Sequence, residues 1–164
     1  MERRGLLIAV AALTAVLPAS ASASQSVAPN PEVLAVVDAA LNAAQAGDIQ
    51  SLRQKYTADC IFIDEFAPFM WSGADALDHY FQSAAQMYQE TRHSDVTVTK
   101  GTAKYVYVAA DSAYVIEPLS ETAQVNGKPY TSSGSLTFVL VRTQAGWKIR
   151  AQTWAKDAES SNPY

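Results

Sequence analysis

Apolar residues recur at helical spacing in the first half of the chain and alternate with polar ones in the second. Val33, Leu34, Val37, Leu41 and Ala44 fall on one face of a 3.6-residue repeat, which predicts an amphipathic helix. Asn30-Pro31-Glu32 supplies its start: a capping side chain, a proline in the first turn and an acid at the positive end of the dipole. Gly47 ends it. Asp48 then caps a second, short helix with Ile49, Leu52 and Tyr56 on one side. Cys60-Ile-Phe-Ile-Asp64 reads as a strand with Cys60, Phe62 and Asp64 on one face and Ile61 and Ile63 on the other. Residues 66–71 form an apolar loop that needs a cover. Ser72 is expected to cap a third helix whose buried stripe is Leu77, Tyr80, Phe81, Ala84 and Tyr88.

From Ser94 the period becomes two. The expected strands run over 95–109 with a bulge at Gly101, over 113–125, over 130–143 with a soft break at Ser132-Ser133-Gly134, and over 147–156. Asn126-Gly127 predicts a tight hairpin, because both turn positions need positive φ. Strands this long exceed the usual length of about six residues, and a flat sheet of them would leave one side bare. Twist and the two glycine interruptions let the sheet bend instead. The fold class expected is α+β: a cone-shaped roll, a strongly curved and mostly antiparallel sheet wrapped around three N-terminal helices.

The ends are read differently. Arg3 and Arg4 precede a weakly apolar run over 6–17, too short for a bilayer span of about 20 residues. Pro18 breaks the run, and Ala21-Ser22-Ala23 has the small-x-small form of a signal-peptidase site. Residues 1–23 are therefore expected to be a signal peptide, 24–30 a tether, 31–156 the folded domain and 157–164 a polar tail, in an exported protein that is periplasmic or secreted. The alternative for the first segment is an uncleaved anchor. Cys60 is the only cysteine, so no intrachain disulfide forms, and a small buried apolar role is expected for it. Without Glu2, Arg3 and Arg4 the net charge of −4 becomes −5, with no basic patch. Nucleic acid and anionic lipid are not expected partners. Two histidines and one cysteine are too few for a typical zinc site, and neither a metal nor an organic cofactor is expected.

Among the ionisable residues Asp64 stands out. Its face neighbours are Cys60 and Phe62 and an aromatic loop follows, surroundings that raise a carboxyl pKa and suit it to proton transfer. The alternative is that Asp64 ends the strand and accepts from backbone N–H groups of the 65–69 turn. Glu117 interrupts an apolar stretch. Pointing inward it would be a second carboxylate for acid–base work; pointing outward, which the composition favours, it is an edge charge beside Pro118. His79 lies about 200° from Leu77 on the helix and is expected at the surface; His93, among Arg92 and Asp95, is expected to be solvated. Tyr56, Phe62, Phe69, Trp71, Tyr80, Phe138 and Trp154 as a set make an apolar ligand pocket credible. Arg150, Gln152 and Trp154 are expected to point outward, where they suggest an interface.

Four segments together resemble the nuclear-transport-factor-2-like superfamily, in its SnoaL-like, ketosteroid-isomerase-like branch. They are Ala46-Gly47-Asp48, the run from Thr57 to Asp64, Trp71-Ser72-Gly73, and Thr137 to Arg142 with Gly146-Trp147-Lys148-Ile149. The resemblance implies a conical pocket and often a homodimer through the outer face of the sheet. It implies a catalytic carboxylate at the end of the first strand, where Asp64 stands. It also implies two oxyanion donors, but Ala40 and Leu136 occupy those places, so the base is present without the matched oxyanion hole. Some relatives carry histidines on the last strand where Ala151 and Thr153 stand here. The expected function is binding of a small hydrophobic molecule, with Asp64-mediated isomerase-, dehydratase- or hydrolase-type proton transfer. The alternative is a non-catalytic dimeric module that binds a ligand or partner.

Overall fold

A computed structural model of the chain describes residues 30–159. The expected signal peptide, most of the tether and the end of the polar tail lie outside the described residues. Helix α1 spans Pro31–Gln45, and Asn30 Oδ1 accepts from the backbone N–H groups of Glu32 (3.0 Å) and Val33 (3.2 Å). Its inner face carries Val33, Val37, Ala40 and Ala43. Helix α2, Ile49–Lys55, is capped by Asp48, which accepts from Ser51 N–H at 3.0 Å. Strand β1 is Tyr56–Ile63, and Cys60 and Phe62 are buried on its inner face while Ile63 is exposed. Among the described residues no helix is long and apolar enough to cross a membrane.

The apolar loop is shorter than the sequence suggests. Met70–Ser72 forms strand β2, paired antiparallel with β1 so that Trp71 sits opposite Phe62. Ser72 therefore does not cap the third helix. Helix α3 starts later, at Ala76–Glu90, behind Asp75, whose side chain makes no capping bond. The ladder with β1 holds the chain extended through Ser72, and only then does Gly73, at φ 95°, turn it.

The strand expected over 95–109 is two segments, β3 (His93–Lys100) and β4 (Tyr105–Val108), both paired with β5 (Ser112–Val125). Gly101 lies at the break, where a bulge within one strand is expected from the sequence, and donates to Pro118 O at 2.9 Å. A Cβ on Gly101 would stand 2.8 Å from the Pro118 ring, so glycine and proline meet where the ladder is interrupted. Asn126 and Gly127, at φ 51° and 73°, close the hairpin into β6 (Lys128–Thr143), and β7 (Gly146–Glu159) follows. The seven strands form one curved, unclosed sheet in the order β2-β1-β7-β6-β5-β3, with β4 also on β5; only the β1–β7 pair is parallel. The α+β roll is the observed class, and its core lies between the helices and the concave side of the sheet.

One irregularity positions the site. Leu140 pairs with Ile149 and Val139 with Ala151, so Arg150 is an extra residue on β7. The bulge reverses the alternation. Trp147 and Ile149 face the core before it, and Gln152 faces the core after it. Gln152 and Trp154 are thus inner residues, against expectation, because Phe138 and Leu136 opposite them are inner residues too. Arg150 itself is exposed and pairs with Asp59 at 2.9 Å.

Candidate functional site

The pairing sets the inner face out in transverse rows. Val115, Phe138, Gln152, Phe62 and Trp71 form one. Glu117, Leu136 and Trp154 form the next, and Asp64, one residue beyond Ile63, lies level with its Trp154 end. The two candidate carboxylates therefore stand at opposite ends of one row. Three strand spacings, about 14 Å along the sheet, separate their backbones, and they are not a directly paired acid and base.

Asp64 is partly buried and has two donors. Its Oδ1 accepts from Glu65 N–H at 2.8 Å and its Oδ2 from the Tyr80 hydroxyl at 2.7 Å. Its own N–H goes to Phe69 O. A carboxylate can accept about four hydrogen bonds, so Asp64 is not saturated by the turn that follows it. Burial pushes its pKa above the ordinary aspartate value, and the Tyr80 bond, the Glu65 bond and Lys156 oppose that rise. Burial and the neighbouring Asp64 charge hold the Tyr80 hydroxyl well above its usual range, so it stays a phenol and donates.

Four of the seven aromatic residues expected to line a pocket form one contiguous cluster, which reaches this acid through Tyr80. Phe62 stacks on Tyr80 at 4.4 Å and on Tyr56 at 5.1 Å, and Trp71 meets Tyr80 edge-on at 5.2 Å. Phe66, which the sequence left in the loop, closes over Trp71 and Tyr80. Tyr56 donates to Gln152 Oε1, and Trp71 Nε1 donates to Ser83 Oγ at 3.2 Å. Phe138 is wholly buried in the sheet beside Gln152. Trp154 lies across Gly134. Phe69 is 59% exposed and stands apart from the stack, on a cleft of about 470 Å³ between the 65–69 loop and α3, which Glu65, Phe66, Met87 and Thr91 also line.

Glu117 points inward and is 0% exposed, so the edge-charge reading of it is overturned. Neither carboxyl oxygen has a hydrogen-bond partner; the nearest cation is Lys100 Nζ at 3.8 Å, itself held by Asp38 of α1. Burial raises its pKa against the pull of Lys100. It faces inward because Ala113 and Val115, four and two residues before it, set the parity of β5.

His93 is also a correction. Its side chain is only 3% exposed, stacked on Tyr88 at 4.6 Å, with Nδ1 against Thr91 Oγ1 and Nε2 4.0 Å from Glu121 Oε1. It is inner because it pairs with buried Val125. His79 is exposed and Cys60 buried, as expected. Ala40 and Leu136, at the places of the oxyanion donors, lie in the core. The sequence reading missed the Tyr80–Asp64 bond, Gln152, and the His93–Glu121 pair. A tyrosine on an apolar helix stripe was the available signal for the first, since a buried phenol has to bring its hydroxyl to a partner.

Residues 33–153 match the family described as SnoaL-like domain. The chain belongs to the SnoaL-like family. Solved structures with the same fold include a ketosteroid isomerase-like protein from Erwinia carotovora atroseptica, 22% identical with a TM-score of 0.61 over 77% of this chain and 95% of that one. A hexachlorocyclohexane dehydrochlorinase from Novosphingobium barchaimii LL02 is 11% identical, with a TM-score of 0.67 over 79% of this chain and 86% of that one. A nuclear transport factor 2-like superfamily protein from Salmonella enterica serovar Typhimurium is 16% identical, with a TM-score of 0.64 over 79% and 92%. At these identities the likeness speaks for the fold alone. No curated protein matches the sequence. The SnoaL-like segment contains every candidate residue except Trp154, which follows its last residue directly.

Proposed function

We propose that this SnoaL-like protein binds a small hydrophobic molecule on the concave side of its sheet and that Asp64 takes a proton from it. The observation that carries the reading is the state of Asp64. It is partly buried among aromatic rings, holds one backbone and one phenol donor, and has its pKa raised by burial. That is the environment in which a carboxylate becomes a useful base. Inner-facing Leu119, Trp154, Tyr80 and Phe81 are only partly buried, which supports an opening on this face lined by apolar groups. Similar folds carry names of isomerase-like and dehydrochlorinase proteins, chemistries that can begin with loss of a C–H proton. The test is deuterium exchange next to the carbonyl of an added cyclic ketone in heavy water, followed by NMR. Wild type should catalyse it and Asp64→Asn should not; equal rates in the two would refute the role given to Asp64.

A second reading, a non-catalytic binding module, is favoured by one observation. The rings of Tyr56, Phe62, Trp71 and Tyr80 fill one another's contacts, and no oxyanion donor stands at Ala40 or Leu136. Binding of the ketone without exchange in wild type would select it.

We further infer an exported homodimer. Export rests on the basic start, apolar run and Ala21-Ser22-Ala23 of the first segment. Dimerisation rests on Tyr105, Tyr107 and Tyr114, which stand 50%, 49% and 39% exposed on the outer face of β4 and β5. Sedimentation of the mature chain, with Tyr107→Asp as the disrupting variant, tests the dimer; an unchanged monomeric mass in both would reject it.

A further inference from the structure

Two rows beyond the one that Asp64 joins, the inner face turns polar. Glu121 lies there on β5, and His93 approaches it from β3, the edge strand on that side of the sheet. Three observations single the pair out. His93 is almost wholly enclosed, with one ring face covered by Tyr88 and Tyr130 meeting it edge-on at 5.9 Å. Its Nδ1 is engaged by the hydroxyl of Thr91, which also reaches Met87 O at 2.6 Å. Glu121 Oε1 is buried and has no hydrogen-bond partner, while the Glu121 side chain keeps 19% of its exposure. Between Nε2 and Oε1 lie 4.0 Å, too far for a direct hydrogen bond.

We propose that His93 Nε2 and Glu121 Oε1 form a subsite that takes a hydroxyl group of the ligand. An oxygen about 2.8 Å from each atom spans a gap of this size at nearly a right angle. A hydroxyl is the group that serves either tautomer of the ring. If Nδ1 carries the proton, the hydroxyl has an acceptor on each side and donates to one of them. If Nε2 carries it, the hydroxyl accepts from the ring and donates to the carboxylate. A carbonyl oxygen fits only the second case and leaves Glu121 Oε1 unpartnered, as an ether does in both; Oε2 already accepts from the Tyr88 hydroxyl at 3.5 Å. Desolvation keeps the ring neutral, in line with this role. The ligand class is thus an apolar molecule bearing an alcohol or a phenol. This deepens the proposed function and rests on its reading of the inner face as a ligand site.

The test uses naphthol and its methyl ether as probes, titrated calorimetrically into the full-length protein. Wild type should bind naphthol about tenfold or more tightly than the ether, the scale expected for a buried acceptor left unpaired. Glu121→Gln should bring that ratio close to one, and His93→Phe, which keeps the ring stack on Tyr88 and leaves the Glu121 acceptor in place, should lower it in part. Nitrogen NMR of His93 should show Nε2 move with naphthol and stay still with the ether. Equal binding of the two probes, a preference that survives both variants, or an unmoved His93 resonance would overturn the subsite and leave the apolar pocket standing. The first of these results would mean that the gap holds a structural water only. Failure of both probes to bind would instead reject the pocket, and the subsite with it.

Discussion

Tyr80 donates a 2.7 Å hydrogen bond to Oδ2 of Asp64, joining the third helix to the end of the first strand. The bond favours the charged carboxylate and so works against burial, which raises the Asp64 pKa. Tyr80→Phe should therefore push that pKa further up. The consequence for stability has a definite sign. A carboxyl whose folded pKa is raised holds its proton longer when folded, so its contribution is complete below the ordinary aspartate value of about 3.9 and is lost as pH rises through the raised pKa. Asp64→Asn should remove that part of the pH dependence. Carboxyl-carbon NMR of wild type and Tyr80→Phe checks the order; an Asp64 value at or below the ordinary one, or a fall in the variant, contradicts it.

Glu117 should behave as a more extreme case. It is wholly enclosed, has no hydrogen-bond partner, and has Lys100 as its nearest cation. Its raised pKa means that stability present below the ordinary glutamate value is lost as pH rises through the folded pKa. Glu117→Leu should be more stable than wild type near neutral pH by about 1–4 kcal/mol, and the difference should shrink towards acid pH. Lys100→Met removes the group that lowers the Glu117 pKa and should move it further up. Urea midpoints at about pH 4 and about pH 8 check the first claim. A Glu117→Leu protein weaker than wild type at both would show that the carboxyl is held by interactions the geometry does not contain.

The helices, the hairpin and the long strands were legible because each has a local cause. Asn30 and Asp48 cap, Asn126-Gly127 turns, and the alternation of β5 places Ala113 and Val115 on one side; it places Glu117 there too, against the outward reading that its charge suggests. What failed was parity after a bulge. Nothing in Trp147 to Trp154 announces that Arg150 is an extra residue, and one such residue exchanges inside and outside for all that follow. Gln152 was assigned outward for that reason alone. His93 failed differently. Its neighbours in sequence are polar, but its partner across the sheet is buried Val125, and burial is decided by the partner. Of the site, the position of Asp64 was readable; its tie to Tyr80 depends on how α3 lies against β1, and no spacing along the chain encodes that.

The Tyr56–Gln152 bond gives a clean test of the bulge. Both side chains are buried, and the bond crosses from the first strand to the last. Tyr56→Phe should cost about 1–3 kcal/mol, because it strands a buried amide oxygen. Gln152→Leu in the same background should recover part of the loss, since neither polar group then remains. A double-mutant cycle by urea unfolding measures the coupling. Independent, additive effects would mean that Gln152 does not face the core and that the reversal at Arg150 is wrong.

At Gly134 the last two strands leave no room for a side chain. A Cβ there would come within 2.3 Å of Ala155 O and 2.7 Å of Trp154 Cη2. The first contact is with backbone in the middle of the sheet, which cannot move without disturbing the ladder. Gly134→Ala should therefore destabilise the protein by about 1–3 kcal/mol, although alanine is ordinarily tolerated in a strand. Trp154→Ala should relieve only part of this, because the carbonyl contact remains. Trp154 also bounds the inner face next to Asp64, so Gly134→Ala should shift its fluorescence and weaken binding of an apolar probe such as methoxynaphthalene. Unfolding curves and a fluorescence titration check both outcomes. Wild-type stability with an unmoved tryptophan spectrum would mean that the ring does not lie across Gly134, and the hollow proposed beside Asp64 would lose one of its walls.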